Sequence, residues 1–409
     1  MAEINSLQLH LPEGINYECT GCGKCCGGWA VPMTEVDYER ISKVDWGERL
    51  PKLQAAKLYR PLKDYEKQGT PYTHAIKEGA TGQCPFVVDN LCFIHSQFES
   101  ATKPSICQLF PYSFNETPSG VYATVSFVSM GVIHNSGKPL AEQRDYMAKK
   151  FSDFQTLYPG HHPNWAKLEM TNGKPISWDE YLVVESDIVC SLQNKELPLE
   201  ERFRDASKKL LGRVRGVSSA PVSAATEARS SSGLKPLDHH LLLTLHKMYF
   251  PTKLQGRGDG DFKVMRFLQQ IAFKGIGSKF RVALPSAFYT LGDLSAVAWD
   301  DKDPDIENLL YRYFYSRIFA KLYFGAGFGQ LTVITGFHHL GLLYALVKMQ
   351  SKALALSRGV NKVSYVDVVA AVRQLEKRMG ETSVDGMAAA AFELLMFSPS
   401  RLDRILAAA

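Results

Sequence analysis

The feature that most constrains this sequence is a short loop that holds four of its eight cysteines. The stretch CTGCGKCC contains Cys19, Cys22, Cys25 and Cys26 in the spacing C-x-x-C-x-x-C-C. Thiolates are metal ligands, and the C-x-x-C spacing lets two sulfurs turn inward around one ion or cluster. A metal also lowers the thiol pKa, which keeps several thiolates together despite their mutual repulsion. The spacing therefore predicts a metal-binding loop, with buried free thiols or disulfides as the alternatives.

Glycine residues accompany these cysteines at Gly21, Gly23, Gly27 and Gly28. Because glycine has no Cβ, such a loop can wrap closely and aim backbone N–H groups at sulfur. The glycines therefore favour the same interpretation.

A second set of cysteines follows further along the chain. Cys84, Cys92 and Cys107 are separated by seven and then fourteen residues, and His95 follows Cys92 in a C-x-x-H spacing. The eighth cysteine, Cys190, lies on a predicted helix, where we expect a buried small apolar side chain and not a ligand. We predict that the metal ligands are the other seven: Cys19, Cys22, Cys25, Cys26, Cys84, Cys92 and Cys107.

The spacing and the number of cysteines bear on which metal is bound. C-x-x-C-x-x-C opens the cysteine run of bacterial ferredoxins, and that run ends in a Cys-Pro such as Cys84-Pro85. Structural zinc takes four ligands and is typically held by paired C-x-x-C motifs. Seven cysteines could form a complete site plus a three-cysteine site with an open position, one cluster with spare redox thiols, or two zinc sites that use His95. We favour an iron–sulfur cluster, such as 4Fe–4S, over zinc.

Composition excludes several other classes of protein. The 409 residues are 45% apolar and 22% charged, which suits a globular protein of two or three domains. A net charge of +5 is too small to indicate nucleic-acid binding. The N-terminus does not resemble a signal peptide, and polar residues interrupt the apolar stretch at 325–347, which predicts a buried helix and no membrane span. We expect the reducing cytoplasm, where clustered cysteines indicate metal or redox chemistry.

The predicted fold class is α+β and mainly α, with a small cysteine-rich metal-binding domain followed by an all-helical domain. Residues 1–211 form the first domain, whose motif core is 17–113. Residues 212–236 are rich in Ser, Ala, Gly and Pro and predict a flexible linker. Residues 237–409 form the helical domain.

Local patterns predict the main elements. Val, Thr, Tyr and Phe are frequent at 120–129, which predicts a strand, and the Asp89-Asn90 pair predicts the turn of a small hairpin. Apolar periodicity and capping residues predict helices at 34–44 and 140–158, along the aromatic face from 311 to 322, after Ser364, and in the last segments of the chain.

Some weaker motifs have simpler interpretations. GAGFG at 325–329 fits the glycine loop of S-adenosylmethionine-dependent methyltransferases, but it follows a helical face, so we interpret it as a break between two helices. GRGDGD at 256–261 predicts a solvated turn. Neighbouring histidines on a helix point about 100° apart. The pairs His161-His162, His239-His240 and His338-His339 therefore predict surface or core residues and not shared ligands.

The cysteine motifs resemble those of the CxxCxxCC cysteine-cluster family, which is described as zinc- or iron-chelating and includes the flagellin lysine N-methylases. The resemblance covers about a quarter of the chain. The matching residues are Cys19, Cys22, Cys25, Cys26, Cys84-Pro85-Phe86, Cys92-Phe93-Ile94-His95, Pro104, Cys107 and Phe110-Pro111. Lys103 and Gln108 depart from the pattern, because arginine is common at both positions in the family.

The resemblance implies that the cysteines bind a metal or cluster. For the methylase subgroup it also implies that an S-adenosylmethionine-dependent enzyme transfers methyl groups to lysines of a protein substrate, which the helical domain would bind. An open iron could bind S-adenosylmethionine. The alternatives are a non-enzymatic module with a structural zinc or iron, and a redox sensor that uses the adjacent Cys25-Cys26 pair. The sequence identifies no catalytic acid or base.

Overall fold

The computed structural model describes residues 8–27, 29–54, 57–67, 70–79, 82–98, 100–215, 233–252, 279–380, 384 and 386–409. The chain divides into two compact units, Met1–His162 and Pro163–Ala409. Helices outweigh strands, which confirms the predicted α+β, mainly α fold class. Within the described ranges, no helix has the length and apolar character needed to cross a membrane.

The first unit combines short strands with short helices. Its described strands are β1 (Leu9–His10), β2 (Val31–Met33), β3 (Tyr59–Pro61), β4 (His74–Ile76), β5 (Val87–Val88), β6 (Leu91–Cys92), β7 (Tyr112–Thr117) and β8 (Gly120–Val125). Its described helices are α1 (Glu35–Ser42), α2 (Trp46–Arg49), α3 (Asp64–Lys67), α4 (Phe93–Gln97), α5 (Ser105–Leu109), α6 (Met130–Ile133) and α7 (Arg144–Leu157). The strands form a β1–β8–β7 sheet with β1 parallel to β8, an antiparallel β2–β4–β3 sheet, and the β5–β6 hairpin.

Several local predictions for the first unit are confirmed. Thr34 caps α1, since its side chain accepts a hydrogen bond from the backbone N–H of Asp37. Asp89 and Asn90 form the turn of the β5–β6 hairpin with φ values of 49° and 65°, which is the left-handed conformation that such two-residue turns require. β8 ends at Val125, earlier than the predicted strand over 120–129, because Ser129 already precedes α6.

One apolar core supports the cysteine-bearing segments. Trp46, Phe86 and Ile94 are almost fully buried, and the rings of Trp46 and Phe86 meet edge to face with centroids 4.8 Å apart. The indole N–H of Trp46 donates to the Ile41 carbonyl at 2.8 Å, so the ring is fixed as well as buried. The half-buried residues that pack against this core include Cys84, Cys92 and Cys107.

The second unit is mainly helical. Its described helices are α8 (Trp178–Gln193), α9 (Leu199–Arg215), α10 (Pro236–Tyr249), α11 (Leu291–Ser295), α12 (Pro304–Phe319), α13 (Val333–Ser357), α14 (Tyr365–Met379), α15 (Gly386–Met396) and α16 (Pro399–Ala408). It also contains two hairpins, β9 (Glu169–Thr171) with β10 (Lys174–Pro175) and β11 (Arg281–Ala283) with β12 (Phe288–Thr290). The second hairpin lies within residues 237–409, where the prediction included helices only.

The central helix of this unit is α13. It is apolar on all sides and buried along nearly its whole length, as a helix surrounded by other helices must be. The predicted buried helix in the 325–347 stretch is therefore confirmed. Residues 320–332 separate α12 from α13 and include a 3-10 turn at Gly325–Gly327. The GAGFG motif therefore lies in a break between two helices, as predicted.

The structure divides the chain at a different place from the predicted domain boundary. The unit boundary at His162 and Pro163 differs from the predicted boundary at 212–236, and α9 continues through the first four linker residues. Residues 216–232 and the GRGDGD motif lie outside the described residues, so the flexible linker and the solvated turn stay predictions.

The prediction that Cys190 is buried is wrong. Val184 and Ile188 form the buried stripe of α8, whereas Cys190 follows Ile188 by two positions and is exposed. Two positions correspond to about 200° around a helix, which turns the side chain away from the buried face. The prediction relied on the usual burial of cysteine and neglected the helical period.

Two adjacent histidines of α13 lie in the core of the second unit. His338 uses both ring nitrogens: Nδ1 lies 2.8 Å from the Met396 carbonyl, and Nε2 lies 2.8 Å from the Ser207 hydroxyl. A carbonyl can only accept, so Nδ1 donates, and in the neutral ring Nε2 then accepts from the Ser207 hydroxyl. Burial lowers the pKa of His338 to about 4, and burial followed by nearby Arg317 lowers the pKa of His339 to about 3.

The buried histidines predict a stability that depends on pH. Below about pH 6.5 a histidine in the unfolded chain binds a proton that its folded counterpart does not bind. The free energy of unfolding should therefore fall as the pH drops from 6.5 to 4, by about 1.4 kcal/mol per pH unit for each such histidine. Urea unfolding at several pH values measures this slope.

His338→Asn should make the slope of unfolding free energy against pH shallower by about 1.4 kcal/mol per pH unit, the contribution of one histidine proton. His162→Asn is the matched control, because the side chain of His162 is 70% exposed. If both variants kept the slope of the unsubstituted protein, the predicted role of His338 would be refuted.

Candidate metal centre

The start of the cysteine loop is fixed against residues that follow β8. The backbone N–H of Asn16 donates to Asn135 Oδ1 at 2.8 Å, and that of Tyr17 donates to the Lys138 carbonyl at 3.2 Å. Glu18 lies against Gly131 so closely that a Cβ there would come within 2.2 Å of the Glu18 carbonyl oxygen. These contacts determine where Cys19 begins the loop.

The middle of the loop lies over the turn of the β5–β6 hairpin. Gly21 and Gly23 have φ values of 62° and 63°, a region that residues with a Cβ rarely adopt. A Cβ on Gly23 would lie 3.1 Å from the Asn90 carbonyl oxygen, and one on Gly21 would lie 2.8 Å from Leu91 Cδ2. At these two positions the predicted need for glycine is confirmed, while Gly28 lies outside the described residues.

The end of the loop pairs with the segment that carries the next cysteine. The backbone N–H of Cys84 donates to the Cys26 carbonyl at 2.8 Å, and Gly27 and Gln83 form an isolated β-bridge. The N–H of Cys26 in turn donates to the Gly23 carbonyl at 3.0 Å. Two cysteines separated by almost sixty positions in the sequence are thus placed side by side by backbone hydrogen bonds.

Two short elements present the remaining cysteines of this region. Cys92 ends β6, where it pairs with Val87, and Cys107 lies on α5. The N–H of Val87 donates to the Cys84 carbonyl at 3.0 Å, so the hairpin that carries Cys92 begins directly after Cys84. The hairpin and α5 therefore direct both cysteines to the region where Cys26 and Cys84 meet.

Electrostatic interactions link four of the thiols. Burial first, and then the thiols of Cys84 and Cys92, raise the pKa of Cys107. Burial, together with Cys92, raises the pKa of Cys84 to about 11. A hydrogen bond with the Cys25 thiol is the largest cause of the raised pKa of Cys26, and Cys107 and Cys84 contribute further. We refer to Cys26, Cys84, Cys92 and Cys107 as the four-cysteine group.

The other three predicted ligands lie on the loop itself. Burial first, and then the charges of the Cys19 and Cys25 thiolates, raise the pKa of Tyr17. Cys22 lies between them in the sequence and is partly exposed. We refer to Cys19, Cys22 and Cys25 as the three-cysteine loop. The Cys25–Cys26 thiol contact joins it to the four-cysteine group.

The donor set fits a metal that prefers thiolates. All eight cysteines are free thiols, and the raised pKa values arise from burial and mutual repulsion, which a bound cation would offset. In the part of the chain that the structure describes, no group of three or more His, Cys, Asp or Glu side chains is placed so that it could hold a metal ion. The seven cysteines therefore stay predicted ligands. His95 is exposed on α4, and desolvation and then Lys103 lower its pKa.

Asp37 positions Cys107, and the sequence analysis did not identify this role. The Asp37 carboxylate is fully buried and accepts from the Ser105 N–H at 3.0 Å and the Ser105 hydroxyl at 2.9 Å, at the start of α5. Arg40 donates to Asp37 at 2.7 Å and to the Lys103 carbonyl at 2.9 Å. The only signal in the sequence is that Asp37 stands three residues after Thr34, as a capping residue of α1 would.

The two departures from the family pattern lie in the same region. The Gln108 side-chain amide donates to the carbonyls of Lys103 at 2.7 Å and Ala101 at 3.0 Å. Gln108 therefore holds the turn that leads into α5, and its amide suits this role because it supplies two N–H donors.

Asp37→Ala should disturb the metal centre without removing a ligand. The substitution leaves the Ser105 N–H and hydroxyl without their acceptor, which we expect to cost about 1–3 kcal/mol of unfolding free energy. It should also lower the metal content, because α5 carries Cys107. Metal analysis of purified protein and urea unfolding test both effects.

Asp64→Ala is the matched control, since the Asp64 side chain is fully exposed in the same unit. Equal metal content in Asp37→Ala, Asp64→Ala and the unsubstituted protein would show that Asp37 does not position the site.

Comparisons with known proteins bear on the cysteine-bearing part of the chain. An uncharacterized protein of Methanocaldococcus jannaschii is 31% identical over 180 residues, which are 41% of this chain and 56% of that protein, so the chain spans about half the length of this relative. No solved structure matches the chain. Residues 18–128 match the model of the family described as "CxxCxxCC: Putative zinc- or iron-chelating domain". The match confirms the resemblance to the cysteine-cluster family and supports binding of a metal by this part of the chain.

Proposed function

We propose that this protein holds an iron–sulfur cluster through its N-terminal cysteines. The observation that carries the proposal is that Cys84 is paired with Cys26 by a backbone hydrogen bond and packs with Cys92 and Cys107 against one apolar core, directly after the three-cysteine loop. Four thiolates are the ligand set of a fully coordinated cluster. Three thiolates would leave one metal position open to a substrate or cosubstrate.

An all-cysteine ligand set favours iron–sulfur without excluding zinc, which also binds four thiolates. The three-cysteine loop supports iron–sulfur further, because a structural zinc site is almost always closed by four ligands. His95 would have to complete a second zinc site, yet it is exposed and interacts electrostatically with Lys103.

A structural zinc in the four-cysteine group is the second candidate. Three of its members, Cys84, Cys92 and Cys107, pack against the apolar core around Trp46. A metal at that position would join the loop, the β5–β6 hairpin and α5 without any catalytic role. Such a module should unfold when a chelator removes the metal.

The reaction that we attach to the first candidate is methyl transfer from S-adenosylmethionine to a lysine of a protein substrate. Its support is the resemblance to the family that includes the flagellin lysine N-methylases. The methyl group would leave the sulfonium sulfur and bond to the lysine Nζ, which loses a proton, and S-adenosylhomocysteine is the second product. Since the GAGFG turn lies between α12 and α13 and follows no strand, we assign the cosubstrate to the three-cysteine loop instead.

The cluster proposal predicts equal amounts of iron and sulfide and a broad visible charge-transfer band after anaerobic purification. Cys107→Ser should lose most of both, because it removes one ligand of the four-cysteine group. Cys190→Ser should lose neither, because Cys190 is exposed on α8 of the other unit. A colourless protein with stoichiometric zinc would refute the cluster and support the second candidate.

The methylase proposal predicts transfer of labelled methyl groups from S-adenosylmethionine to lysines of a flagellin-like protein. Cys22→Ser should abolish transfer, whereas Cys190→Ser should leave it unchanged. If the unsubstituted protein held a cluster and transferred no label, the reaction would be refuted while the cluster stood. A thiol count that changes reversibly with oxidant would instead support the redox sensor.

A further inference from the structure

The turn between α12 and α13, residues 320–332, concentrates the backbone strain of the second unit. In the described part of the chain, five non-glycine residues have positive φ, and three of them are Asp or Asn, which tolerate this conformation best. The other two are Lys321 and Gln330, with φ values of 55° and 53°, and both lie in this turn. Strain of this kind persists only where surrounding contacts hold it.

The turn is folded tightly on itself. The backbone N–H of Gly325 donates to the Leu331 carbonyl at 2.8 Å, which closes the base of the turn. There is no room for a Cβ on Gly327, because it would collide with the Lys321 carbonyl oxygen. The closed turn is therefore a single, closely packed arrangement of the backbone.

A buried ion pair joins this turn to α8. The Lys321 side chain is fully buried, and its Nζ donates to Glu185 Oε1 at 2.9 Å and to the Phe319 carbonyl at 2.8 Å. Glu185 Oε2 accepts from the Tyr181 hydroxyl at 2.6 Å, and that hydroxyl lies 3.3 Å from the hydroxyl of Tyr323. One carboxylate oxygen thus holds the turn, while the other is fixed by a tyrosine of α8.

The closed turn depends on the charge of Glu185. Burial lowers the pKa of Lys321 to about 8, so the amine is mainly protonated at neutral pH. Taking both charges out of water costs free energy, and a buried charge that loses its partner is strongly destabilising. The Glu185 carboxylate therefore holds the turn closed, whereas backbone strain and desolvation oppose closure.

An aromatic cluster lies beside the turn. Phe324 packs against Tyr181 and Trp165, with ring centroids 4.4 and 5.6 Å apart, and Trp165 meets Trp178 with centroids 5.3 Å apart. The indole N–H of Trp178 is buried and has no hydrogen-bond acceptor among the described residues. A buried donor without an acceptor is unfavourable, and opening of the turn would admit water to it.

We propose that residues 320–332 form a strained gate that the Lys321–Glu185 ion pair locks against α8. The turn opens as a unit when the ion pair breaks, while α12 and α13 stay folded. Opening exposes the rings of Trp165, Trp178 and Phe324 to solvent. This inference concerns the second unit alone and does not depend on metal binding by the first.

Hydrogen–deuterium exchange of the full-length protein, followed by mass spectrometry, measures opening of the turn. Glu185→Gln keeps the size of the side chain and removes the counter-charge of the buried ammonium. Amides of residues 320–332 should then exchange at least about tenfold faster. Amides of residues 340–347, in the buried middle of α13, should keep their rate.

Asp187→Asn is the matched control. Asp187 lies two positions after Glu185 on α8 and forms an ion pair with Arg213, but these two side chains are 38% and 42% exposed. Removing an exposed ion pair should leave exchange in the turn unchanged.

Gln330→Gly has the opposite predicted effect. Gln330 is exposed, and glycine adopts its positive φ without strain. The closed turn should become more stable, so residues 320–332 should exchange about twofold to fivefold more slowly.

Faster exchange confined to the turn in Glu185→Gln, together with slower exchange in Gln330→Gly, supports the gate. If Glu185→Gln exchanges like Asp187→Asn, or if exchange rises equally throughout the second unit, the lock is refuted. If Gln330→Gly exchanges no more slowly than the unsubstituted protein, the turn is not strained and the proposal fails as well.

Discussion

The first unit depends on thiols that are buried beside one another and whose protons a bound cation would replace. Burial and neighbouring sulfurs raise the pKa values of Cys26, Cys84 and Cys107. These thiols would therefore stay protonated at neutral pH if no cation replaced their protons. A metal that binds them as thiolates removes the repulsion and joins segments that are far apart in the sequence. Folding of this unit and metal binding are then one linked equilibrium.

The cysteines themselves do not explain how those segments meet. The Cys26–Cys84 backbone hydrogen bond and the left-handed Gly23 bring the loop to the β5–β6 hairpin, and buried Asp37 holds α5 beside it. All of these are interactions of the backbone or of a carboxylate, so they can form before a metal is bound. They confine the ligands to a small region, which lowers the entropy that metal binding must overcome.

The parts of this arrangement that follow from local chemistry could be predicted from the sequence. The spacing of Cys19, Cys22 and Cys25 and the Asp89-Asn90 turn each depend on a few consecutive residues. A complete site beside a three-cysteine site was one of several possibilities, but which cysteines join which group could not be predicted, because it depends on which distant segments pair. Asp37 was missed for the same reason, since its contact with Ser105 spans 68 positions of the sequence. Cys190 was assigned incorrectly because residue type was given more weight than helical period.

The two groups of cysteines differ in environment, and the difference suits different roles. Three members of the four-cysteine group, Cys84, Cys92 and Cys107, pack against the apolar core around Trp46, where a metal would be shielded from water and rigidly held. The three-cysteine loop includes exposed Cys19 and partly exposed Cys22. Under the proposed function, reactants would meet the loop and the four-cysteine group would stabilise the fold. Because Cys25 and Cys26 are in contact, a change of charge in one group would act directly on the other.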